Sequence, residues 1–350
     1  MGSVSDRVMS CLSALYSLVL AVYCLPLAVI ASLLLSGTHR VYRILCHLIP
    51  GMKISGRGKA IYVTGCDSGF GFQLCKRLVS EGSLVFANCL SEEGAKRLKE
   101  ELFHSNRLVT LVHDIRDEKS VEMAARVINQ ELETRRFHGL YALVNNAGIV
   151  DDQVIEGNDM KSYRKVMDVN FFGAVQTTKS VLKLLRKAGL RGMKPRVVNI
   201  ASAAGKISSQ FMSAYASSKF ALEAFNDSLR REMQYFGISV VIIEPGLFKT
   251  NIVTGNPTLL DRKIQNMDPE IICIYGDKYL RSVNEVSVSL AADPIFVVDE
   301  MMFALTARWP AIRVTVGTDC ILGFAPLSWI PACVSDFLLH VWLPKPAPTC

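Results

Sequence analysis

The chain has 350 residues, of which half are hydrophobic and one fifth are charged, and its formal net charge is +7. A chain this apolar is not intrinsically disordered, and its length is sufficient for a large domain with its own core. The charge excess lies in residues 1–60, which hold six basic residues and one acidic residue. Residues 61–350 hold 33 basic and 31 acidic residues, so we predict no nucleic-acid partner.

The first segment, 1–38, has the composition of a membrane anchor. Residues 8–38 include no Asp, Glu, Lys, Arg or His, and about 20 apolar residues suffice to span a bilayer as a helix. A cleaved signal peptide has a shorter apolar region, of about 7–15 residues. We therefore predict a retained transmembrane helix that is kinked or tilted at Pro26.

A basic linker, 39–57, follows the anchor, whereas only Arg7 is basic before it. Positively charged flanks stay on the cytosolic side of a membrane. We therefore predict that the domain after the linker faces the cytosol. The endoplasmic reticulum is the membrane we favour, and a mitochondrial membrane is the alternative.

From Ala60 onwards, apolar runs of strand length alternate with helical patterns. The predicted strands are 60–63, 84–87, 108–112, 141–144, 196–200, 238–243 and 312–316. The predicted helices between them are 70–81, 91–103, 117–135, 160–187 and 213–236. Near-continuous apolar strands separated by helices are typical of a parallel sheet covered on both faces. We predict an α/β protein with a doubly wound parallel sheet, a Rossmann fold of about seven strands.

The domain built on this sheet extends over 58–320, and its less periodic stretch 247–310 is predicted to form a helical lobe over the strand ends. The apolar tail, 321–350, is interrupted by Pro331 and Asp336, so we do not expect it to span a membrane. It either dips into the membrane interface or packs on the core of the domain.

The ten cysteines form no C-x-x-C pair, and the histidines form no cluster with metal-ligand spacing. We therefore predict no metal site. We interpret the cysteines as free thiols in a reducing compartment.

The turn after the first predicted strand has the composition of a phosphate-binding loop. It contains Gly65, Ser68, Gly69, Phe70 and Gly71, and a helical pattern follows directly. Glycines let the main chain turn tightly against a pyrophosphate, whose charge is stabilised by the helix N-terminus. In this strand–turn–helix context the glycines predict a dinucleotide site.

The end of the second predicted strand bears on which dinucleotide is bound. Such sites often place an acidic residue there for the ribose hydroxyls, but this chain has Asn88-Cys89-Leu90. No basic residue stands there for a 2′-phosphate, and the following Glu92 and Glu93 would repel one. These features favour NAD and leave NADP as the alternative.

Tyr215 and Lys219 lie four residues apart in a predicted helix, so their side chains share one face. A tyrosine hydroxyl has an ordinary pKa of about 10, and a neighbouring ammonium lowers this pKa by favouring the phenolate. Oxidation of an alcohol needs such a base while hydride leaves carbon for a nicotinamide. Ser202, just past the fifth predicted strand, is placed to bind the substrate oxygen.

These motifs follow one another along the chain as Thr64-Gly-x-x-x-Gly-x-Gly71, Asn145-Asn-Ala-Gly148, Asn170, Ser202, Tyr215-x-x-x-Lys219 and Pro245-Gly246. Together they resemble the short-chain dehydrogenase/reductase family over about 58–320. The sequence at 64–71 is similar to a narrower group that holds retinol dehydrogenases, 17-beta- and 11-beta-hydroxysteroid dehydrogenases and 3-hydroxybutyrate dehydrogenase. The tail residues around Asp319 and Trp329 look most like the retinol and hydroxysteroid branch.

The resemblance implies a role for each matching residue. Tyr215 would be the general acid/base, and Lys219 would lower the pKa of Tyr215 and bind the nicotinamide ribose. Ser202 would orient the substrate oxygen, and Asn170 would hold a water in the proton relay. The cofactor contacts would be Asp114 at the adenine, Asn146, Ala147 and Gly148 along the cofactor, and Pro245, Gly246 and Thr250 around the carboxamide.

We therefore expect a membrane-anchored oxidoreductase that transfers hydride between NAD(H) and a lipophilic alcohol or ketone, a hydroxysteroid or retinol. The alternative enzyme is a 3-hydroxybutyrate dehydrogenase, whose carboxylate substrate would need a cation such as Arg262 or Lys263. A further alternative is an inactive dinucleotide-binding sensor or scaffold. The expected partners are the small-molecule substrate and, through residues 8–38, the membrane; a homodimer is the assembly we allow for.

Overall fold

The computed structural model describes residues 4–151, 153–254 and 257–348. Its strands are β1 (Ala60–Val63), β2 (Leu84–Cys89), β3 (Leu108–Val112), β4 (Ala142–Asn145), β5 (Arg196–Ile200), β6 (Ser239–Pro245) and β7 (Arg313–Val316). They form one sheet in the order β3-β2-β1-β4-β5-β6-β7, and every neighbouring pair is parallel. The predicted α/β fold with a doubly wound parallel sheet of seven strands is confirmed.

The helices before β6 are α1 (Val4–Leu48), α2 (Gly69–Ser80), α3 (Glu92–Glu101), α4 (Glu118–Thr134), α5 (Met160–Met167), α6 (Ala174–Gly189) and α7 (Ser213–Met233). Those after β6 are α8 (Asn251–Thr254), α9 (Pro257–Gln265), α10 (Pro269–Tyr275), α11 (Asp277–Leu290), α12 (Ile295–Thr306), α13 (Ala325–Trp329) and α14 (Ala332–Trp342). Short 3-10 turns lie at Ile155–Gly157, Ala203–Gly205 and Gln234–Phe236, and π-helical segments lie at Asp168–Gly173 and Cys320–Phe324.

Helices cover both faces of the sheet. On one face, buried residues of α2, α3 and α12 pack against alternate residues of β1 and β2, such as Ile61 and Val85. On the other face, α4, α6 and α7 pack against the intervening residues, such as Tyr62 and Phe86. Because successive strand residues point to opposite faces, a strand buried on both sides must be apolar throughout. Helix α12 lies inside the stretch 247–310, which therefore contains a helix of the sheet layer as well as lobe helices.

The strand order reverses between β1 and β4, where Val63 is paired with Val144. Connections from these two strands leave in opposite directions, which opens a crevice at the carboxyl ends of the strands. This is the position at which open α/β sheets bind their ligands. The loops after β1, β4, β5 and β6 all begin at this edge.

Helix α1 is continuous through Pro26 and ends at Leu48. The most apolar 18-residue window of its part Leu18–Leu48 has a mean hydropathy of 2.7, and only 11% of this window is buried, so the helix is long and apolar enough to cross a membrane. The helix extends into the segment predicted as a linker, because 39–49 holds neither Pro nor Gly. It stops just before Pro50 and Gly51, residues that disfavour helix continuation.

The predicted helix 160–187 has a different internal structure. It consists of α5, a π-helical segment at Asp168–Gly173 and α6, which extends to Gly189. A π-helical turn holds one extra residue and is often found at functional sites. Here the turn contains Asn170, one of the predicted site residues.

The cysteines differ in part from the free thiols expected. Cys66, Cys75 and Cys89 are free and buried beneath the turn after β1, and burial raises the pKa of the Cys89 thiol to about 12. Cys273, however, is disulfide-bonded, which corrects that expectation. Within the described ranges, no group of three or more His, Cys, Asp and Glu side chains could hold a metal ion.

Candidate active site

The turn after β1 requires glycine at two positions. Gly65 has a φ of +69°, and a Cβ atom there would lie 2.7 Å from the Cα of Ala147. A Cβ atom on Gly71 would lie 2.3 Å from the main-chain O of Gly65. The turn is thus packed directly against the loop after β4, and side chains at these positions would push the two apart.

Side chains from both loops hold this contact together. The hydroxyl of Thr64 accepts hydrogen bonds from the main-chain N of Asn146 (3.0 Å) and of Ala147 (3.1 Å). The side-chain amide of Asn146 donates to the main-chain O of Thr64 (2.9 Å) and of Gly65 (3.0 Å). The Asn146 side chain therefore shapes the glycine turn, a supporting role that the sequence did not indicate.

The N-terminus of α2 fits a phosphate group. The first N–H groups of a helix have no acceptor within the helix, and the side chain of Ser68 does not cap them. The Ser68 hydroxyl instead accepts a hydrogen bond at 3.3 Å from the side-chain amide of Asn251, the first residue of α8. No acidic residue lies in the first helical turn, so the residues present fit the pyrophosphate of a dinucleotide.

A carboxylate that the sequence analysis did not assign lies at the end of β2. Asp67, in the glycine turn, accepts hydrogen bonds from the main-chain N of Leu90 (2.8 Å) and of Ser91 (3.1 Å). A Cβ atom on Gly94 would lie 2.3 Å from this carboxylate. The turn after β1 thus places a carboxylate beside the end of β2, where the strand itself has no acidic residue.

Asp114, predicted to lie near the adenine, lies just after β3 and is paired with Arg116. The Arg116 Nε atom donates to both carboxylate oxygens, at 3.1 and 2.9 Å. This hydrogen bonding lowers the pKa of Asp114. For the Asp114 side chain to contact adenine, its carboxylate would have to bind the adenine in addition to Arg116 or in place of Arg116.

Tyr215 and Lys219 lie in the first two turns of α7, where both are largely buried. The Lys219 Nζ atom is 5.5 Å from the centre of the Tyr215 ring and donates a hydrogen bond to the main-chain O of Ile200 at 2.9 Å. Burial lowers the pKa of Lys219 to about 8, and the negative charge of Glu223 opposes this shift. The ammonium form still predominates at neutral pH.

Asn170 connects the loop after β4 with α7. Its Oδ1 atom accepts from the main-chain N of Ile149 at 2.8 Å, and its Nδ2 atom donates to the main-chain O of Ile149 and the hydroxyl of Ser218, at 2.9 and 3.0 Å. A Cβ atom on Gly148 would lie 3.4 Å from Asn170 Oδ1 and 3.6 Å from Lys219 Nζ. Three predicted site residues therefore meet at one point.

Ser202 lies where β5 and β6 end. Its hydroxyl accepts from the main-chain N of Ala204 at 3.2 Å and donates to the main-chain O of Pro245 at 3.5 Å. Both partners are main-chain atoms of loops at the carboxyl edge of the sheet. The structure thus places Ser202 beside the Pro245-Gly246 motif.

The loop after β6 closes over the glycine turn. A Cβ atom on Gly69 would lie 3.7 Å from the Thr250 methyl group. Asp319 fixes the start of this loop, since its carboxylate accepts from the main-chain N of Leu247 at 2.7 Å. A Cβ atom on Gly246 would lie 2.2 Å from the same carboxylate. Asp319 is part of the resemblance in the tail, which implies no role for it.

A cluster of charged side chains, of which Glu223 and Glu244 are buried, lies one helical turn beyond Lys219. Glu244 is paired with Arg313 (2.7 Å) and with Lys206 (3.1 Å), and Arg313 is also paired with Glu223. Burial and the nearby charge of Glu244 raise the pKa of Glu223 to about 8. This charge cluster joins α7, β6 and β7 behind the site.

Residues 59–258 match the short chain dehydrogenase family. Retinol dehydrogenase 7 of Mus musculus is 38% identical over 297 residues, which cover 83% of this chain and 90% of that protein. Retinol dehydrogenase 16 of Mus musculus is 38% identical over 314 residues, covering 88% of this chain and 93% of the relative. Dehydrogenase/reductase SDR family member 9 of Bos taurus is 38% identical, covering 80% and 87%.

Among solved structures, a short-chain dehydrogenase from Streptomyces avermitilis has a TM-score of 0.61 and 25% identity, covering 75% of this chain and 90% of its own. A short chain dehydrogenase/reductase from Burkholderia phymatum, solved in complex with NAD, has a TM-score of 0.64 at 17% identity, covering 78% and 94%. Fold and sequence agree with the resemblance found in the motifs. The chain belongs to the short-chain dehydrogenase family, whose members are oxidoreductases that use a nicotinamide dinucleotide.

Proposed function

We propose that this protein is a membrane-anchored oxidoreductase that transfers hydride between NAD(H) and a hydroxyl or carbonyl group of a hydroxysteroid or a retinol. The observation that carries the proposal is the pairing of Tyr215 with a buried ammonium, that of Lys219, at the carboxyl edge of the sheet. Asn170 and Ser202 lie at the same edge. An inactive sensor or scaffold is the alternative of another class, and it would not need this set of side chains.

The proposed mechanism assigns the proton to Tyr215. A bound nicotinamide supplies the acceptor for the hydride. Tyr215 in its deprotonated, phenolate form takes the proton of the substrate alcohol. The positive charge of the Lys219 ammonium stabilises this phenolate. The Ser202 hydroxyl donates a hydrogen bond to the substrate oxygen and holds it in place. Asn170 holds a water that passes the proton onwards.

The preference for NAD is supported by the charge around the end of β2. A 2′-phosphate there would meet the Asp67 carboxylate, and Glu92 and Glu93 begin the next helix. The Arg97 guanidinium also reaches this turn and donates to the main-chain O of Asp67. The carboxylate of Asp67 and the two acidic residues in the first turn of α3 oppose a further phosphate, and the Arg97 guanidinium offsets only part of this negative charge.

The preference for a lipophilic substrate is supported by the names of the relatives and by the apolar helix α1. The alternative, 3-hydroxybutyrate, needs a free cation for its carboxylate. Lys263 is paired with Asp151, which also pairs with Lys165 at 3.2 Å. Lys263 is therefore engaged in an ion pair, although it shares its carboxylate with Lys165, and Arg262 is exposed. The names of the relatives, rather than this charge balance, make the alternative the weaker one.

We place the protein in the endoplasmic reticulum membrane with its catalytic domain, 58–320, towards the cytosol, because the basic residues follow the anchor. The disulfide at Cys273 opposes this orientation, since disulfides persist in oxidising compartments. Protease treatment of sealed microsomes distinguishes the two orientations. Digestion of the catalytic domain would support the cytosolic orientation, and protection of the domain from the protease would show that it faces the lumen.

The substrate is tested with purified protein in detergent and a panel of hydroxysteroids, all-trans-retinol and 3-hydroxybutyrate. Each compound is offered with NAD and with NADP, and formation of the reduced cofactor is followed by absorbance. We expect turnover of a steroid or retinol with NAD. Turnover of 3-hydroxybutyrate alone would select that alternative, and binding of NAD without turnover of any compound would favour the sensor.

A further inference from the structure

We propose that the two apolar helices of the tail, Cys320–Trp329 and Ala332–Trp342, form a second membrane-binding element that contacts lipid through Trp329 and Trp342. These two segments are called the tail helices below. The inference rests on the proposed anchoring by α1. Of the two alternatives for the tail, the membrane interface and the core of the domain, we infer that the outer face of the tail contacts the membrane.

The tail helices pack along the apolar part of α1. The hydroxyl of Ser32 donates a buried hydrogen bond to the main-chain O of Ile321 at 2.6 Å. Ala21 and Ala28 of α1 share an apolar cluster with Leu327 and Val334. Ala21, Ala28 and Ser32 are small and lie on one helix face, which lets another helix approach closely.

This contact covers the middle of the anchor. Leu20 and Cys24 pack in the same cluster as Leu338 and Leu339 of α14, so the contact runs from about residue 20 to residue 32 of α1. These residues lie inside the uncharged run 8–38. If this part of α1 lies in a bilayer, the tail helices that pack on it lie at the same depth of the bilayer.

The outer face of the tail helices is apolar. Four large apolar side chains are between 44% and 59% exposed, namely Leu322, Trp329, Val341 and Trp342. They lie in a segment that packs on α1, whose own apolar side chains are also exposed. Large exposed apolar surfaces mark an interaction site. Tryptophan is enriched where hydrocarbon meets the headgroups, which points to lipid as the occupant.

The depth of the tail helices is limited by length and charge. They have 10 and 11 residues, about half the number needed to span the hydrocarbon core as a helix. Asp336 and His340 are exposed one turn apart on α14, and charged groups at the centre of a bilayer are costly. This side of α14 therefore lies at the level of the headgroups.

The tail helices also border the substrate side of the site. Ile207, which follows the turn that begins at Ser202, packs against the cluster of α1 and the tail. The proposed catalytic serine is therefore five residues from a side chain in contact with the membrane-binding unit. A lipophilic substrate dissolved in the bilayer would reach this side of the protein first.

The chain has three tryptophans, which allows each one to report its own surroundings in the full-length protein. Trp309 is the matched control, because it is 56% exposed but its ring lies near two cations, Lys194 and Arg308, at 5.4 and 5.2 Å. Three variants retain one tryptophan each: W309F/W342F, W309F/W329F and W329F/W342F. Each is reconstituted into phosphatidylcholine vesicles with and without brominated acyl chains.

We expect bromine to quench Trp329 and Trp342 strongly, with blue-shifted emission, and to quench Trp309 weakly. Equal quenching at all three positions, or none at the tail positions, would overturn the inference. Circular dichroism and cofactor binding show whether each variant is folded. Flotation of the wild-type protein with vesicles tests the anchoring separately: flotation without quenching of the tail tryptophans refutes only the tail contact, whereas absence of flotation refutes the proposed anchoring and the tail contact together.

Discussion

The Lys219 ammonium lies 5.5 Å from the centre of the Tyr215 ring while it donates a hydrogen bond to the main-chain O of Ile200 at 2.9 Å. Ile200 is the last residue of β5, so this bond fixes the first turns of α7 against the carboxyl edge of the sheet. The helix carries the proposed base, Tyr215, and its proposed partner, Lys219, and the sheet determines where they point. Variants that disturb the edge should therefore affect chemistry and cofactor binding differently.

Gly71→Ala is expected to weaken cofactor binding more than tenfold and to destabilise the fold by about 2 kcal/mol, because the added methyl group has no space. Its Cβ atom would lie 2.3 Å from the main-chain O of Gly65. Cofactor titration and thermal unfolding measure the two effects. Gly323→Ala is the control, since a Cβ atom there has no neighbour within 4 Å; equal behaviour of the two variants would contradict the packing described.

Asp67→Asn is expected to shift the ratio of NADP to NAD affinity towards NADP by roughly tenfold, since it removes one negative charge at the end of β2. Asparagine retains one oxygen that can accept from the main-chain N of Leu90 but loses the second acceptor, which the main-chain N of Ser91 uses. Thermal unfolding is therefore measured beside the titrations to separate a change in the turn from a change in charge. Titration of both cofactors gives the ratio. Glu122→Gln, on the exposed side of α4, controls for net charge. An unchanged ratio in Asp67→Asn would show that this carboxylate does not select the cofactor.

Glu223→Gln tests the buried charges behind the site through the pH dependence of stability. The pKa of Glu223 is raised to about 8 from an ordinary value of 4.5, chiefly by burial. Between these two pH values the folded state keeps a proton that the unfolded chain has lost, so the contribution of Glu223 to stability falls as pH rises. Glutamine cannot ionise and is free of this loss.

The variant and the wild-type protein should therefore be similarly stable at pH 5, and the variant should be more stable by roughly 2 kcal/mol at pH 8. Urea unfolding at several pH values gives the difference between the two proteins. A wild-type protein that gains stability over the variant as pH rises would contradict the raised pKa. Such a gain would mean that the ion pair with Arg313 outweighs the cost of burial.

The positions of the strands could be predicted closely because a strand that is buried on both faces of the sheet is apolar at nearly every residue. Few other elements have such a short continuous apolar run. The bounds of β1, β3 and β5 agree with those predicted. The place of the site also followed from sequence, since parallel strands bring the loops at their carboxyl ends together. Ser202 and Pro245 are 43 residues apart and are joined by a hydrogen bond in this way.

Contacts between side chains distant in sequence could not be predicted. Asp319 reaches the main-chain N of Leu247, and Ser32 reaches the main-chain O of Ile321, over 72 and 289 residues. Neither pairing leaves a periodic pattern in the chain. The π-helical segment around Asn170 was missed for a related reason, because one extra residue in a turn hardly changes the spacing of apolar residues.

Tyr215→Phe tests the central claim most directly, with substrate-dependent formation of NADH as the measurement. Phenylalanine keeps the ring beside Lys219 but has no hydroxyl to take the proton, so we expect turnover to fall by about 10²–10⁴-fold while NAD binding is retained. Tyr235→Phe, whose side chain is 83% exposed, is the control and should stay active. A Tyr215→Phe protein with wild-type turnover would contradict the proposed mechanism.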